Sequence, residues 1–130
     1  MAREQPPTTR PPGSVQLAEL RVTSPAGAPA AVLGVAGEID AANAGGVRQR
    51  ISELIEAGVE LVIVDLRSLD HLGAAGLGVL AGGASRLRQR GGDLVLVRPE
   101  RGPISRVLRL TGIDSALAVY RSPREALANS

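Results

Sequence analysis

The chain has 130 residues, of which 44% are hydrophobic, and its 15 basic and 13 acidic side chains give a formal net charge of +2. This length predicts one domain, and so small a charge excess argues against direct nucleic-acid binding. Because the sequence contains neither cysteine nor lysine, disulfides, thiolate catalysis, zinc–thiolate sites and a lysine-containing phosphate loop are excluded.

The N-terminal segment, residues 1–14, is polar and proline-rich and lacks the apolar core of a signal peptide. We expect it to form a disordered tail ahead of a single folded domain, residues 15–130. Residues 1–12 are expected to be dispensable for folding. Since no apolar run approaches the length of a membrane span, the sequence predicts a cytoplasmic protein without membrane insertion.

Two strands are predicted next. Residues 15–22 alternate between apolar and polar, but the phase slips by one residue at Ala18 and Glu19, which indicates a β-bulge. After a turn-rich connection, residues 30–36 predict a second strand, antiparallel to the first. Residues 37–40 are predicted to form a turn that leads into a helix.

The first helix is predicted from four apolar residues at helical spacing, namely Val47, Ile51, Leu54 and Ile55. Asp40 is its predicted N-cap, because a carboxylate at that position can accept hydrogen bonds from the first free amides. Gly58 is expected to end the helix as its C′ residue.

Residues 61–80 contain the pattern on which the rest of the prediction depends. The run from Leu61 to Val64 is short, apolar and rich in β-branched residues, which indicates a strand buried on both faces. The polar residues that follow, up to Leu72, predict a loop. Small residues from Gly73 onwards begin a second helix, which the pair of glycines at 91 and 92 ends. Its predicted inner face comprises Leu77, Leu80, Ala81, Ala84 and Leu87.

Residues 94–97 predict a second strand buried on both faces, adjacent and parallel to the strand at residues 61–65. A third helix begins at Pro103, a residue suited to the first turn, and Gly112 closes it. Its predicted inner face comprises Ile104, Val107, Leu108 and Thr111.

The last predicted elements are a short strand at residues 116–120 and a C-terminal helix. Ser122 and Glu125 fit a capping box at the start of that helix. Strands that alternate with helices indicate right-handed crossovers and a parallel sheet, to which the first two strands add a hairpin. The predicted fold class is α/β, with a mixed, largely parallel sheet of four to five strands.

The motif Gly-Glu-Ile-Asp at residues 37–40 and the segment Leu-Gly-Ala-Ala-Gly-Leu-Gly-Val at residues 72–79 resemble those of STAS domains. They most resemble bacterial anti-sigma factor antagonists, and the likeness covers about residues 15–128. It implies helices packed mainly on one face of the sheet. It also implies that the protein binds an anti-sigma factor, a serine kinase of the histidine-kinase-like ATPase fold, and so releases a sigma factor.

The phosphoacceptor stretch of that family is Asp-Ser-Ser-Gly-Leu, which here matches Gly-Ala-Ala-Gly-Leu at residues 73–77. The phosphorylated serine matches Ala74, which has no hydroxyl and cannot accept a phosphoryl group. Three outcomes are open: a constitutive antagonist, a protein whose partner is not a kinase, or a protein that has lost this partner. We predict the first.

The resemblance implies a set of partner-binding residues: Glu38, Asp40, Asp70, His71, Gly73, Ala74, Ala75 and Gly76. Several also fit structural roles. Glu38 is consistent with a turn residue and Asp40 with a capping residue. The glycines would allow a close approach of helix to sheet. His71 is the only histidine and has no cysteine beside it, so no metal site is predicted.

Two other classes of function are weighed against the antagonist. A non-signalling STAS accessory subunit of a membrane transport system would have the same fold. An enzyme would need a nucleophile, a base and an orienting group, and the sequence shows no such set. We predict a non-enzymatic protein without a cofactor, present as a monomer or weak dimer.

Overall fold

The structure is a computed structural model that describes residues 13–130. The predicted dispensable segment, residues 1–12, lies outside the described residues. The elements in chain order are β1 (Val15–Thr23), β2 (Pro29–Ile39), α1 (Ala44–Glu56), β3 (Leu61–Leu72), α2 (Ala74–Gln89), β4 (Asp93–Val97), α3 (Pro103–Thr111), α4 (Ile113–Ala116), β5 (Val119–Tyr120) and α5 (Pro123–Ala128).

The five strands form one sheet in the order β1-β2-β3-β4-β5. Strand β1 is antiparallel to β2, and every other neighbouring pair is parallel. The pairing of β3 with β4 runs from Leu61 opposite Asp93 to Asp65 opposite Val97. The predicted mixed sheet and its two adjacent, buried parallel strands are confirmed.

The two faces of the sheet are covered unequally. Helices α1, α2 and α3 pack on one face and form the larger core, in which Leu54, Leu80 and Leu108 are fully buried. On the opposite face α5 contributes Ala126 to a smaller cluster with residues such as Ile63. The expectation of helices mainly on one face is therefore confirmed.

The edge strand β1 carries no bulge at Ala18 and Glu19, so that prediction was wrong. Its pairing with β2 is continuous along the whole strand. Glu19 lies in the helix-facing row, where its carboxylate forms an ion pair with Arg50 of α1, with 3.8 Å between Nη1 and Oε1. Leu20 consequently lies in the outer row and is 62% exposed. The apparent slip in phase arises because the polar Glu19 occupies the helix-facing row and the apolar Leu20 occupies the outer row.

Strand β3 continues to Leu72, although the polar residues after Val64 predicted a loop. Its second half stays paired with β2, and the register shifts twice. Each shift adds one residue on the β3 side, so the buried positions fall three residues apart, at Leu66, Leu69 and Leu72. This spacing removes the alternation by which a strand is recognised.

The predicted turn at residues 37–40 is also mostly strand, because β2 extends to Ile39. Gly37 has a φ of 99°, in the region that favours glycine, and one register shift lies between it and Glu38. The glycine accommodates the irregularity within the strand.

Helices α1 and α2 agree with the prediction, including the glycines that follow them. All four predicted inner residues of α1 are buried. In α2 the predicted face wrongly included Ala81, which is exposed, and omitted Val79, which is buried. Gly83 is also buried, against Ile51 and Leu94. Since Gly83 has no side chain, the apolar pattern could not show that this position faces the core.

The third predicted helix face needs one correction. Ile104 and Leu108 are buried as expected, but Thr111 is exposed and Ser105 is buried. The Thr111 hydroxyl donates to Val107 O at 2.6 Å, which satisfies it within the last turn of α3.

The C-terminal part contains one element that was not predicted. Helix α4 lies just before the segment expected to form a strand and shares only Ala116 with it. Within that segment only the two residues of β5 pair with β4. A helix of four residues is too short to show a period. At the start of α5, Ser122 Oγ accepts from the amide of Glu125, while the Glu125 carboxylate accepts from the amide of Arg121.

Gly76 allows α2 to lie close to the ends of β2 and β3. A Cβ at this position would lie 2.6 Å from Leu72 Cδ1 and 2.8 Å from Ile39 Cγ2. The expected close approach of helix to sheet is therefore confirmed at Gly76. At Gly78 a Cβ would meet nothing within 4 Å.

We expect Gly76→Ala to lower the free energy of unfolding by about 1–3 kcal/mol, because the added methyl group overpacks this contact. Gly78→Ala is the matched control on the same helix. It should raise the free energy of unfolding by about 0.5–1 kcal/mol, since alanine favours the helix and meets open space. Urea denaturation followed by circular dichroism measures both, and equal shifts would contradict the close approach.

Candidate partner-binding site

The candidate site lies where β2 and β3 end side by side and the helices after them begin. Ile39 and Leu72 form the last pair of the register. The amide of Gly73 donates to Ile39 O at 3.0 Å, which holds the residue before α2 against the end of β2. Because the two strands are parallel, the N-termini of α1 and α2 lie at the same edge of the sheet. Open α/β sheets commonly bind ligands at this edge.

Asn43 connects three segments of the chain at this edge. Its Nδ2 donates to Gly13 O and to Glu38 O, both at 2.8 Å, and its Oδ1 accepts from the amide of Asp40 at 2.9 Å. The side-chain amide thus uses both hydrogens and its oxygen. Sequence reasoning missed Asn43. The available signal was its position three residues after Asp40, just before a predicted helix.

Asp40 was predicted to cap α1, but the N-cap residue is Asn43. The Asp40 carboxylate accepts from the amides of Ala42 and Asn43, each at 3.0 Å. It therefore caps the turn at residues 41–43 that precedes the helix. This turn places the start of α1 later than the sequence pattern indicated.

Glu38 ties the start of the described chain to this edge. Its Oε1 accepts from the amide of Gly13 at 3.1 Å, and its own amide donates to Ser14 O at 2.9 Å. Gly13 and Ser14, which the sequence assigned to the tail, thus form backbone hydrogen bonds beside the candidate site.

The predicted site residues lie together but differ in exposure. Three are exposed, namely Asp70, His71 and Ala74. Four are partly buried, namely Glu38, Asp40, Gly73 and Ala75. His71 is opposite Glu38 in the strand register. Gly76 is buried beneath the first turn of α2, where it supports the helix and presents no side chain.

The first turn of α2 carries no compensating negative charge. Its N-cap, Gly73, has no side chain to accept a hydrogen bond, and no acidic residue lies in the turn. The first amides of a helix have no partner within the helix and carry the positive end of its dipole. The exposed Ala74 therefore presents free donors to whatever approaches this edge.

Among residues 13–130, no three His, Asp or Glu side chains lie close enough to hold a metal ion. No helix in the described part of the chain is long and apolar enough to cross a membrane. The groups available at this edge are backbone amides, the carboxylates of Glu38, Asp40 and Asp70, and an exposed histidine.

A sequence model of the STAS domain matches residues 19–126. The chain belongs to the STAS domain family. The α/β architecture described above is the fold of this family, and the resemblance found in the motifs of β2 and α2 is confirmed.

Relatives and solved structures agree with this membership. Anti-sigma-F factor antagonist RsfA of Mycobacterium tuberculosis is 33% identical to this STAS chain over 101 residues, which cover 76% of this chain and 78% of RsfA. The crystal structure of an anti-sigma factor antagonist from Mycobacterium paratuberculosis gives a TM-score of 0.77 at 28% identity, covering 93% of this chain and 97% of that one. Unphosphorylated SpoIIAA gives 0.62 at 21% identity, covering 87% and 93%, and so shows the shared fold alone.

Asn43→Ala should lower the free energy of unfolding by about 1–3 kcal/mol, because two carbonyl oxygens and one amide lose their partner. Asn43→Asp should not restore it, since a carboxylate cannot donate to Gly13 O and Glu38 O. Gln49→Ala, which removes an exposed amide from α1, is the control and should change stability by no more than about 0.5 kcal/mol. Full recovery in Asn43→Asp, measured by urea denaturation, would show that the two donated bonds are unimportant.

Proposed function

We propose that this STAS protein is an anti-sigma factor antagonist, which binds an anti-sigma factor in the cytoplasm and so frees a sigma factor. The observation that carries the proposal is its 33% identity over 101 residues to a protein named as such an antagonist. In this proposal the chain acts by binding and catalyses no reaction.

The partner-binding surface in this proposal is the edge formed by Glu38, Asp40, Asp70, His71 and the first turn of α2, which we call the binding edge. The exposure of Ala74 and His71 supports it, since both can contact a partner without a change in the fold. The free amides of the first turn can donate to acceptor groups of the partner. Two nearby carboxylates, Glu38 and Asp40, are held in fixed positions by backbone amides.

The proposed partner is a serine kinase of the histidine-kinase-like ATPase fold. In the family's mechanism, phosphorylation adds about −1.5 to −2 charges at the position of Ala74 and ends the binding. Ala74 lacks the hydroxyl, so the kinase cannot switch this interaction off at that residue. We therefore propose a constitutive antagonist whose effect depends on how much of it the cell makes.

We predict that Ala74→Glu leaves the fold intact and abolishes binding. A carboxylate in the first turn of α2 should stabilise the helix by about 0.3–1 kcal/mol through the free amides and the dipole. The same charge, buried against a partner without a counter-charge, costs on the order of several kcal/mol. Thermal melting measures the first effect, and calorimetric titration with the purified anti-sigma factor measures the second.

Two further variants complete this experiment. Ala81→Glu places the same charge on an exposed position of α2 away from the binding edge, and should bind like the parent. Ala74→Ser should also bind like the parent, then become phosphorylated and release when ATP is added. Tight binding by Ala74→Glu would show that the first turn of α2 is not the interface.

Affinity capture from the native cell separates this function from the transport alternative. We expect the parent chain to retain a protein of the kinase-like ATPase fold, and Ala74→Glu to lose it. If the parent instead retains the ATPase of a transport system, the antagonist proposal is wrong.

A further inference from the structure

We propose that a cleft at the carboxyl ends of β4 and β5 binds a small phosphorylated molecule that also carries hydroxyl groups, such as a sugar phosphate. The cleft has a volume of about 440 Å³, within the range of small-ligand sites. It lies between the loop from β4 to α3 and the loop from β5 to α5, and it shares no lining residue with the binding edge. Its charged lining residues are Arg98, Arg101, Arg121, Glu100 and Glu125.

The cleft brings together three arginines that form no ion pair with any described residue. Arg21, Arg50, Arg67, Arg86 and Arg88 each form an ion pair with a carboxylate. Within residues 13–130, none of the three cleft arginines does so, although two glutamates line the same cleft. Because the three guanidinium groups outnumber the two carboxylates and are not ion-paired with them, the cleft favours a ligand that brings negative charge.

Arg98 is held in place by neutral acceptors. Its Nη1 donates to Ser105 Oγ at 2.9 Å and to Pro99 O at 3.1 Å. Ser105 is 6% exposed, so a buried hydroxyl is used to orient this guanidinium. Within the described chain, Nε and Nη2 have no partner, and these two nitrogens form the edge that donates to phosphate in a bidentate manner.

The strand pairing brings the other charges beside Arg98. Its amide donates to Tyr120 O at 3.2 Å, so β4 and β5 stay paired up to the mouth of the cleft and Arg121 follows directly. The Glu125 carboxylate accepts from the amide of Arg121 at 2.9 Å, which leaves its second oxygen for another donor. Glutamates beside a cationic phosphate site are suited to accept hydrogen bonds from hydroxyl groups of the same ligand.

The test is a titration of the ¹⁵N-labelled chain with ribose 5-phosphate, inorganic phosphate and ribose, followed by amide chemical shifts. We expect ribose 5-phosphate to shift the amides of Arg98, Gly102 and Arg121 saturably. Phosphate should shift the same amides with weaker affinity, and ribose should shift none. If ribose 5-phosphate does not change the chemical shifts of these amides, no such site exists. If phosphate binds as tightly as ribose 5-phosphate, the role of the hydroxyl groups is wrong.

Substitutions distinguish a specific binding site from nonspecific electrostatic attraction of the phosphate. Arg98→Met should weaken ribose 5-phosphate binding by about tenfold or more, because it removes charged hydrogen bonds. Arg124→Met removes the same charge from α5 outside the cleft and should change the affinity less than twofold. Ser105→Ala keeps every charge but removes the hydroxyl that orients Arg98. It should weaken ribose 5-phosphate binding, while the melting temperature stays close to that of the parent. Equal effects of Arg98→Met and Arg124→Met would overturn the proposal.

Discussion

The position of the binding edge depends on the parallel pairing of β2 with β3, which continues beyond the first register shift. It carries both strands to one end, at Ile39 and Leu72. The Gly73 amide then bonds to Ile39, and α2 begins directly against the strand end. The absence of a side chain at Gly76 allows the helix to lie there, because a Cβ at this position would clash with Leu72 and Ile39. The position of Ala74 on the surface follows from these contacts.

The regular parts of this fold could be predicted from the sequence because their patterns are strong. The buried strands β3 and β4 contain uninterrupted apolar runs of four residues, and the apolar residues of α1 recur at helical spacing. The irregular parts could not. Two register shifts gave β3 a three-residue spacing. In β1, Glu19 lies in the helix-facing row, where it forms an ion pair with Arg50, and Leu20 lies in the outer row.

The partner-binding role of the candidate site stays a prediction, but the structure shows where its residues lie and which hydrogen bonds hold them. Its residues could be chosen from motifs at the ends of β2 and β3, and they do gather at one edge. Asn43 was not chosen, because its importance depends on a hydrogen bond to Gly13, which is distant in the sequence, as well as on one to Glu38. The same is true of Arg98, whose orientation depends on the buried hydroxyl of Ser105. Tertiary hydrogen bonds of this kind have no local sequence signature.

The central claim is that this chain binds an anti-sigma factor through the first turn of α2 and the adjoining strand ends. Hydrogen–deuterium exchange of the chain, alone and in complex with that anti-sigma factor, tests it most directly. We expect slower exchange in the complex at residues 38–43 and 73–77, with β1 and α5 unchanged. Protection confined to the outer face of β1, or to α5, would contradict the account.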